Sequence, residues 1–216
     1  MTVTAGVNGL GILGKTQTLW EKVNSLGGVG TYDDENWCEE YEPDTYLLWV
    51  LTWGRWHESR QNQVWSNVRK VYLALDEAHH RVKRLNTLSS QELKQLADEY
   101  PYKWQKAFLE AIVSYLRQHE TTLNDLVKRF KESGPGLSLA EMEIALGTNS
   151  TKIASCFLRD CVRADVFPID SRVEEVLDHY GLPIDSWAIM EACERLKIPT
   201  RIFARAAYDR SAELLK

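Results

Sequence analysis

Two side chains in this sequence combine the residue type and the placement that bond-making chemistry needs: Lys152 and Asp170. Lys152 lies in Leu146-Gly-Thr-Asn-Ser-Thr-Lys152-Ile-Ala-Ser-Cys156-Phe-Leu-Arg159-Asp160, after a short Gly-containing turn and on the first turn of the next helix. Asp170 lies in Phe167-Pro168-Ile169-Asp170-Ser171-Arg172-Val173, eighteen residues further on and just ahead of another helix. A lysine amine attacks carbon only after losing its proton. A helix N-terminus and partial burial both disfavour the ammonium form, so the placement suits a nucleophile. A carboxylate near the attacked carbon stabilises positive charge that builds there. Plainer readings stand beside these: a Lys near a helix start is commonly solvated, and an Asp before a helix is commonly its cap. Ser171 with Glu174 has the capping-box pattern and predicts a helix start at about residue 171.

The elements that must hold these groups read as helices. Val64, Val68, Val71 and Leu75 recur at helical spacing within Asn62–Arg84, with charges between them. Trp104, Phe108, Ile112 and Tyr115 repeat the pattern after Pro101, which reads as a first-turn proline. Leu123, Leu126, Val127 and Phe130 continue it to the breaker Ser133-Gly134-Pro135-Gly136. Further helices are predicted over Ser138–Leu146, Ser150–Val162, Arg172–His179, Ser186–Leu196 and Thr200–Leu214. Alternating strand patterns with hairpin turns are missing. The predicted class is all-α, about ten helices in a two-lobed bundle forming a single domain over 1–216. The lobes fall at about 40–136 and 137–216 plus an N-terminal helix, and no internal repeat stands out.

Composition narrows the classes. At 216 residues the chain buries a core without staples, and 44% hydrophobic with 26% charged residues excludes wholesale disorder. The sequence holds no apolar run of the ~18 to 20 residues that would span a bilayer, and no membrane partner is expected. Cys38, Cys156, Cys161 and Cys193 lack the spacing of a disulfide framework, a zinc site or an iron–sulfur site, so a reducing compartment is expected: cytoplasm, or nucleus in a eukaryote. A net charge of −5 argues against indiscriminate nucleic-acid binding but leaves room for a local basic face.

One string invites a different reading. Gly9-Leu-Gly-Ile-Leu-Gly14-Lys15-Thr16 fits the phosphate-binding GxxxxGK[ST] pattern, and Asp76-Glu-Ala-His79 imitates the acidic strand end of a helicase-type ATPase. A P-loop must follow a buried strand, yet only eight weakly patterned residues precede Gly9, and Asp76 continues a helical stripe. The competing reading is a flexible Gly-rich N-terminus.

The strings around Lys152 and Asp170 carry a family likeness. Lys152-Ile-Ala-Ser-Cys156 and Phe167-Pro168-Ile169-Asp170-Ser171-Arg172-Val173 resemble the helix-hairpin-helix DNA glycosylases, most of all their 8-oxoguanine branch. The resemblance covers roughly residues 137–180, with the helix-hairpin-helix itself near 138–163. It implies a bifunctional DNA glycosylase and AP lyase that excises an oxidised base from double-stranded DNA. Lys152 would form a Schiff base at C1′ and Asp170 would stabilise the oxocarbenium-like sugar. It implies no iron–sulfur cluster, with room for a monovalent ion at the hairpin, and a monomer. Gly147, Thr148, Asn149 and Ser150 would hold a DNA phosphate, although Thr148 and Ser150 stand where the family's hairpin has glycines. The other readings are a non-catalytic helix-hairpin-helix DNA-binding module and, last, a P-loop ATPase.

Softer expectations follow from the same likeness. Cys156, one helical turn past Lys152, faces the base pocket or is a small buried hydrophobe. Phe203 forms one face of that pocket or belongs to the core. Arg55 and Trp56, with Trp53, wedge the duplex where the base flips out, or finish a helix in the core. Arg159, Arg163 and Arg172 line a phosphate path, offset by Asp160 and Asp165, or are solvated surface charge. His79 and His80 read as helix surface, and no metal site is expected.

Overall fold

A computed structural model of the chain describes residues 4–33, 42–53, 84–100, 102–147 and 151–216. The helix read over Asn62–Arg84, with Asp76 and His79–His80, lies outside them but for Arg84. So do Arg55, Trp56, Pro101, Cys38 and the hairpin residues Thr148, Asn149 and Ser150, while Trp53 is described in backbone only. In chain order the helices are α1 (Thr4–Ser25), α2 (Pro43–Trp53), α3 (Ser90–Glu99), α4 (Lys103–Gln118), α5 (Leu123–Glu132), α6 (Pro135–Ala145), α7 (Thr151–Phe157), α8 (Ser171–His179), α9 (Ser186–Leu196), α10 (Thr200–Asp209) and α11 (Ser211–Leu214). Short 3-10 turns at Val29–Asp33 and Leu85–Thr87 and a π-helical turn at Leu158–Val162 complete the regular structure. The class is all-α; among the described residues there is no strand.

Two compact units divide the chain: Met1–Asn36 with Arg163–Lys216, and Trp37–Val162. The boundary differs from a lobe break near residue 136, and the reason is local. The breaker is a tight corner inside the second unit: Gly134 is the N-cap of α6, Pro135 opens that helix, and the Ser138 hydroxyl donates back to Phe130 O and Gly134 O. The helix therefore begins three residues before the predicted Ser138, as a first-turn proline permits.

The second unit is built round α2. Six consecutive residues, Tyr46-Leu-Leu-Trp-Val-Leu51, are all buried, so this helix is apolar on every side and packs against α4, α5 and α7. Leu47, Leu48 and Leu51 are fully excluded from solvent, each contributing roughly 1.5–3 kcal/mol of burial. Neighbouring helices bond to its backbone: Tyr100 Oη donates to Leu48 O at 3.2 Å and Gln105 Nε2 to Leu51 O at 2.9 Å. The amphipathic α4 and α5 turn Phe108, Leu109, Ile112, Val113, Leu126, Val127 and Phe130 inward. Capping boxes at Ser89/Glu92 and Thr122/Asp125 fix the starts of α3 and α5.

The first unit packs α1 against α9 and α10, and α10 against α8 and α11. Its core includes Leu19, Val23, Phe167, Phe203 and Ala207. The segment predicted as one helix over Thr200–Leu214 is broken at Arg210 into α10 and α11.

The N-terminus is a helix, and Gly9–Thr16 lies inside it. Gly9–Thr16 is neither a phosphate cradle nor a flexible tail but part of α1, where each backbone N–H turns to a carbonyl four residues back. Lys15 Nζ donates to Gly181 O at 2.8 Å, satisfying a carbonyl just past the C-terminus of α8. Thr16, the residue that would hold magnesium in a P-loop, is fully buried.

Candidate functional site

Lys152 is the second residue of α7 and is half-buried, as is Cys156 one turn on. Ile153, Ala154 and Phe157 anchor the helix through its apolar side. The preceding residue is tied down too, since the Thr151 hydroxyl donates to Glu143 on α6. Helices α6 and α7 pack on each other, as the arms of a hairpin would. Gly147 ends α6 with φ of 70°, a left-handed conformation that L side chains rarely adopt.

The α-helix predicted over Ser150–Val162 does not run its full length. At Leu158 it widens into the π turn, and the chain leaves at Arg163 with φ of 62°. Asp160 sits in this turn with its carboxylate held on two sides. Arg159 donates through Nε to Oδ1 at 2.6 Å and through Nη2 to Oδ2 at 2.9 Å, and Tyr46 Oη of α2 donates to Oδ2 at 2.9 Å. Arg159 and Asp160 are thus a buried pair, their side chains only 12% exposed, and the phosphate-path and solvated-charge readings both give way. Burial, then the Asp160 charge, pushes the Tyr46 phenol well above its ordinary range. Burial by itself works against the Arg159 cation, yet the Asp160 carboxylate outweighs it and Arg159 holds its proton more tightly than usual.

This network is what sequence reasoning missed. Adjacent positions on a helix do not face each other, so nothing in the spacing predicts a fork between Arg159 and Asp160. The one available signal is their setting, a charged pair inside the apolar run Cys156-Phe-Leu-Arg-Asp-Cys-Val162.

Asp170 belongs to the first unit and is the N-cap of α8. Its Oδ1 accepts from Arg172 N at 3.1 Å and from Val173 N at 2.9 Å, while Oδ2 accepts no hydrogen bond among the described residues. The helix starts at residue 171 as predicted, but the cap is Asp170 in place of the Ser171–Glu174 box. Arg172 lays its guanidinium over the Tyr208 ring, 5.3 Å from the centroid. Phe203 is fully buried, with its ring centroid 5.3 Å from Phe167 and 5.5 Å from Trp20, so all of it packs as core. Asp165 accepts from Arg201 N at 3.0 Å and caps α10 from a distance.

Lys152, Cys156 and Gly147 therefore belong to one unit, and Asp170, Arg172 and the core residue Phe203 to the other. Among the described residues there is no group of three or more His, Cys, Asp or Glu that could hold a metal ion, and no helix is long and apolar enough to cross a membrane. No family model, curated protein or solved structure matches the chain.

Proposed function

We propose that this protein is a base-excision-repair DNA glycosylase with AP lyase activity that removes an oxidised base, 8-oxoguanine first among them. In the reaction the neutral Lys152 amine attacks C1′ and displaces the base. The sugar ring opens to a Schiff base, loss of a C2′ proton breaks the C3′–O bond, and the strand is nicked. Asp170 stabilises the positive charge that builds on the sugar. The observation that carries the reading is the pairing of two sequence strings with two helix starts. Lys152 is half-buried on the first turn of α7, and Asp170 caps α8 through Oδ1 alone, so Oδ2 is not committed to the cap.

The reading entails a duplex containing a damaged base as substrate, a monomer, no iron–sulfur cluster, and a compartment that keeps thiols reduced. A second reading, a non-catalytic helix-hairpin-helix DNA-binding module, is favoured by one observation: Asp170 already has a complete structural job as a cap. Incubation with a panel of lesion duplexes and borohydride separates the two. The enzyme gives a covalent adduct that Lys152→Gln abolishes. DNA binding with neither adduct nor cleavage on any lesion, opposite any normal base, establishes the module and overturns the enzyme.

A further inference from the structure

Resting on that enzymatic reading, we infer that Tyr46 and Asp160 are positioning residues for Lys152, acting through the π turn that ends its helix. Three observations lead there. First, Lys152 and Cys156 share one face of α7, and Asp160 follows four residues on, inside the π turn that continues the helix. Second, α7 itself packs against α2, the helix that carries Tyr46, so the Lys152 helix and the network share one partner. Third, the turn is pinned to a rigid partner. Tyr46 is 3% exposed at the start of the buried apolar run of α2, its ring centroid is 6.4 Å from that of Phe157, and its hydroxyl reaches the Asp160 carboxylate at 2.9 Å.

A π turn closes its hydrogen bond one residue further on than an α-helix, and such turns are frequent at functional sites. Here the Arg159 fork and the Tyr46 hydroxyl fix Asp160 at both oxygens, and Arg163 leaves in the left-handed region. Release of Tyr46 frees the turn to relax toward α-helical winding and rotate the α7 face that carries the amine. Misplacing a reacting group by about 1 Å costs on the order of 100-fold in rate.

Tyr46→Phe is the direct test, since it removes one hydroxyl and leaves the Arg159–Asp160 pair intact. Tyr100→Phe is its comparator: it deletes another buried tyrosine hydroxyl bonded to α2, away from the π turn. Single-turnover borohydride trapping on a lesion duplex is measured well below each variant's unfolding midpoint, together with reversible affinity for that duplex. The expected result is a trapping rate about 10- to 100-fold lower for Tyr46→Phe with duplex affinity within threefold of wild type, and an unchanged rate for Tyr100→Phe. Equal rates for wild type and Tyr46→Phe overturn the inference while leaving the enzymatic reading standing. Equal slowing of both variants assigns the network a purely structural role and overturns it too. A wild-type protein that traps on no lesion overturns the enzymatic reading and takes this inference with it. Should Tyr46→Phe fail to fold by circular dichroism, Arg159→Lys, which keeps the charge and loses the fork, is read by the same criteria.

Discussion

Gly147 packs so tightly against Ala111 of α4 that a Cβ on the glycine would lie 2.9 Å from the Ala111 Cβ. It also holds φ of 70° and donates its N–H to Ile144 O at 2.9 Å, closing the end of α6. Both demands require glycine at this position. Gly147→Ala is therefore expected to cost about 1–3 kcal/mol, from the left-handed backbone and the contact together. Urea denaturation measures it, and a loss below about 0.5 kcal/mol contradicts the geometry. Because the glycine closes a helix, this loss occurs in the free protein without DNA.

Asp170 has a cap to make and, in the proposed reaction, a charge to supply, and two substitutions separate these. Asn is as good an N-cap as Asp, so Asp170→Asn is expected to leave stability within about 0.5 kcal/mol of wild type. Asp170→Ala loses both bonds from the α8 N-terminus and is expected to cost about 1 kcal/mol. Base excision is expected to fall about 100-fold or more in both, because each removes the negative charge. A full excision rate in Asp170→Asn confines the residue to capping.

How far the sequence reaches depends on how local each signal is. The stripes in α4 and α5 and the starts of α8, α9 and α10 were legible because helical period and turn residues are read within a few positions. The N-terminus was legible only in part: a helix was expected there, but not that it takes in Gly9–Thr16. Gly9, Gly11 and Gly14 mask a helix whose stability comes from packing on α9 and α10, contacts more than 150 residues away in the chain. The π turn was hidden for a similar reason. One of its bonds runs from Tyr46 to Asp160, 114 residues apart, and no window over residues 150–162 contains Tyr46. Lys152 and Asp170 were legible as candidates because they flank helix starts. For α8 the sequence offered two caps, Asp170 itself and a Ser171–Glu174 box, and only the backbone decides for Asp170.

Cys193 gives the fold a dependence on alkaline pH. Burial pushes its thiol up to about 12 against an ordinary 9.0, overcoming the opposing hydrogen bond with Thr200. The folded value lies above the unfolded one, so the native state favours the protonated thiol. That contribution is complete below pH 9 and is lost as pH rises through about 12. Tyr115, pushed up to about 12 by burial and by its bond to Glu141, acts in the same direction from pH 10 upward. Urea midpoints are expected to fall steadily above pH 9, and Cys193→Ala to show a shallower fall between pH 9 and pH 10. Parallel profiles for the two proteins rule out Cys193 as the source.

Thr16 distinguishes a helical N-terminus from a nucleotide site by opposite effects of one substitution. In a phosphate loop its hydroxyl would hold magnesium, and replacing it would abolish binding. In α1 the residue is fully buried, and its hydroxyl has no hydrogen-bond partner among the described residues. A buried hydroxyl without a partner costs roughly 1–3 kcal/mol in lost hydration, and valine matches threonine in shape and in its branched Cβ. Thr16→Val is therefore expected to raise stability by about 1 kcal/mol, measured as a higher urea midpoint at unchanged slope. Lys15→Met is expected to weaken the contact with Gly181 O and nothing that depends on nucleotide. A drop in stability for Thr16→Val would show that the hydroxyl is bonded. ATP binding that disappears in both variants would restore the phosphate-loop reading.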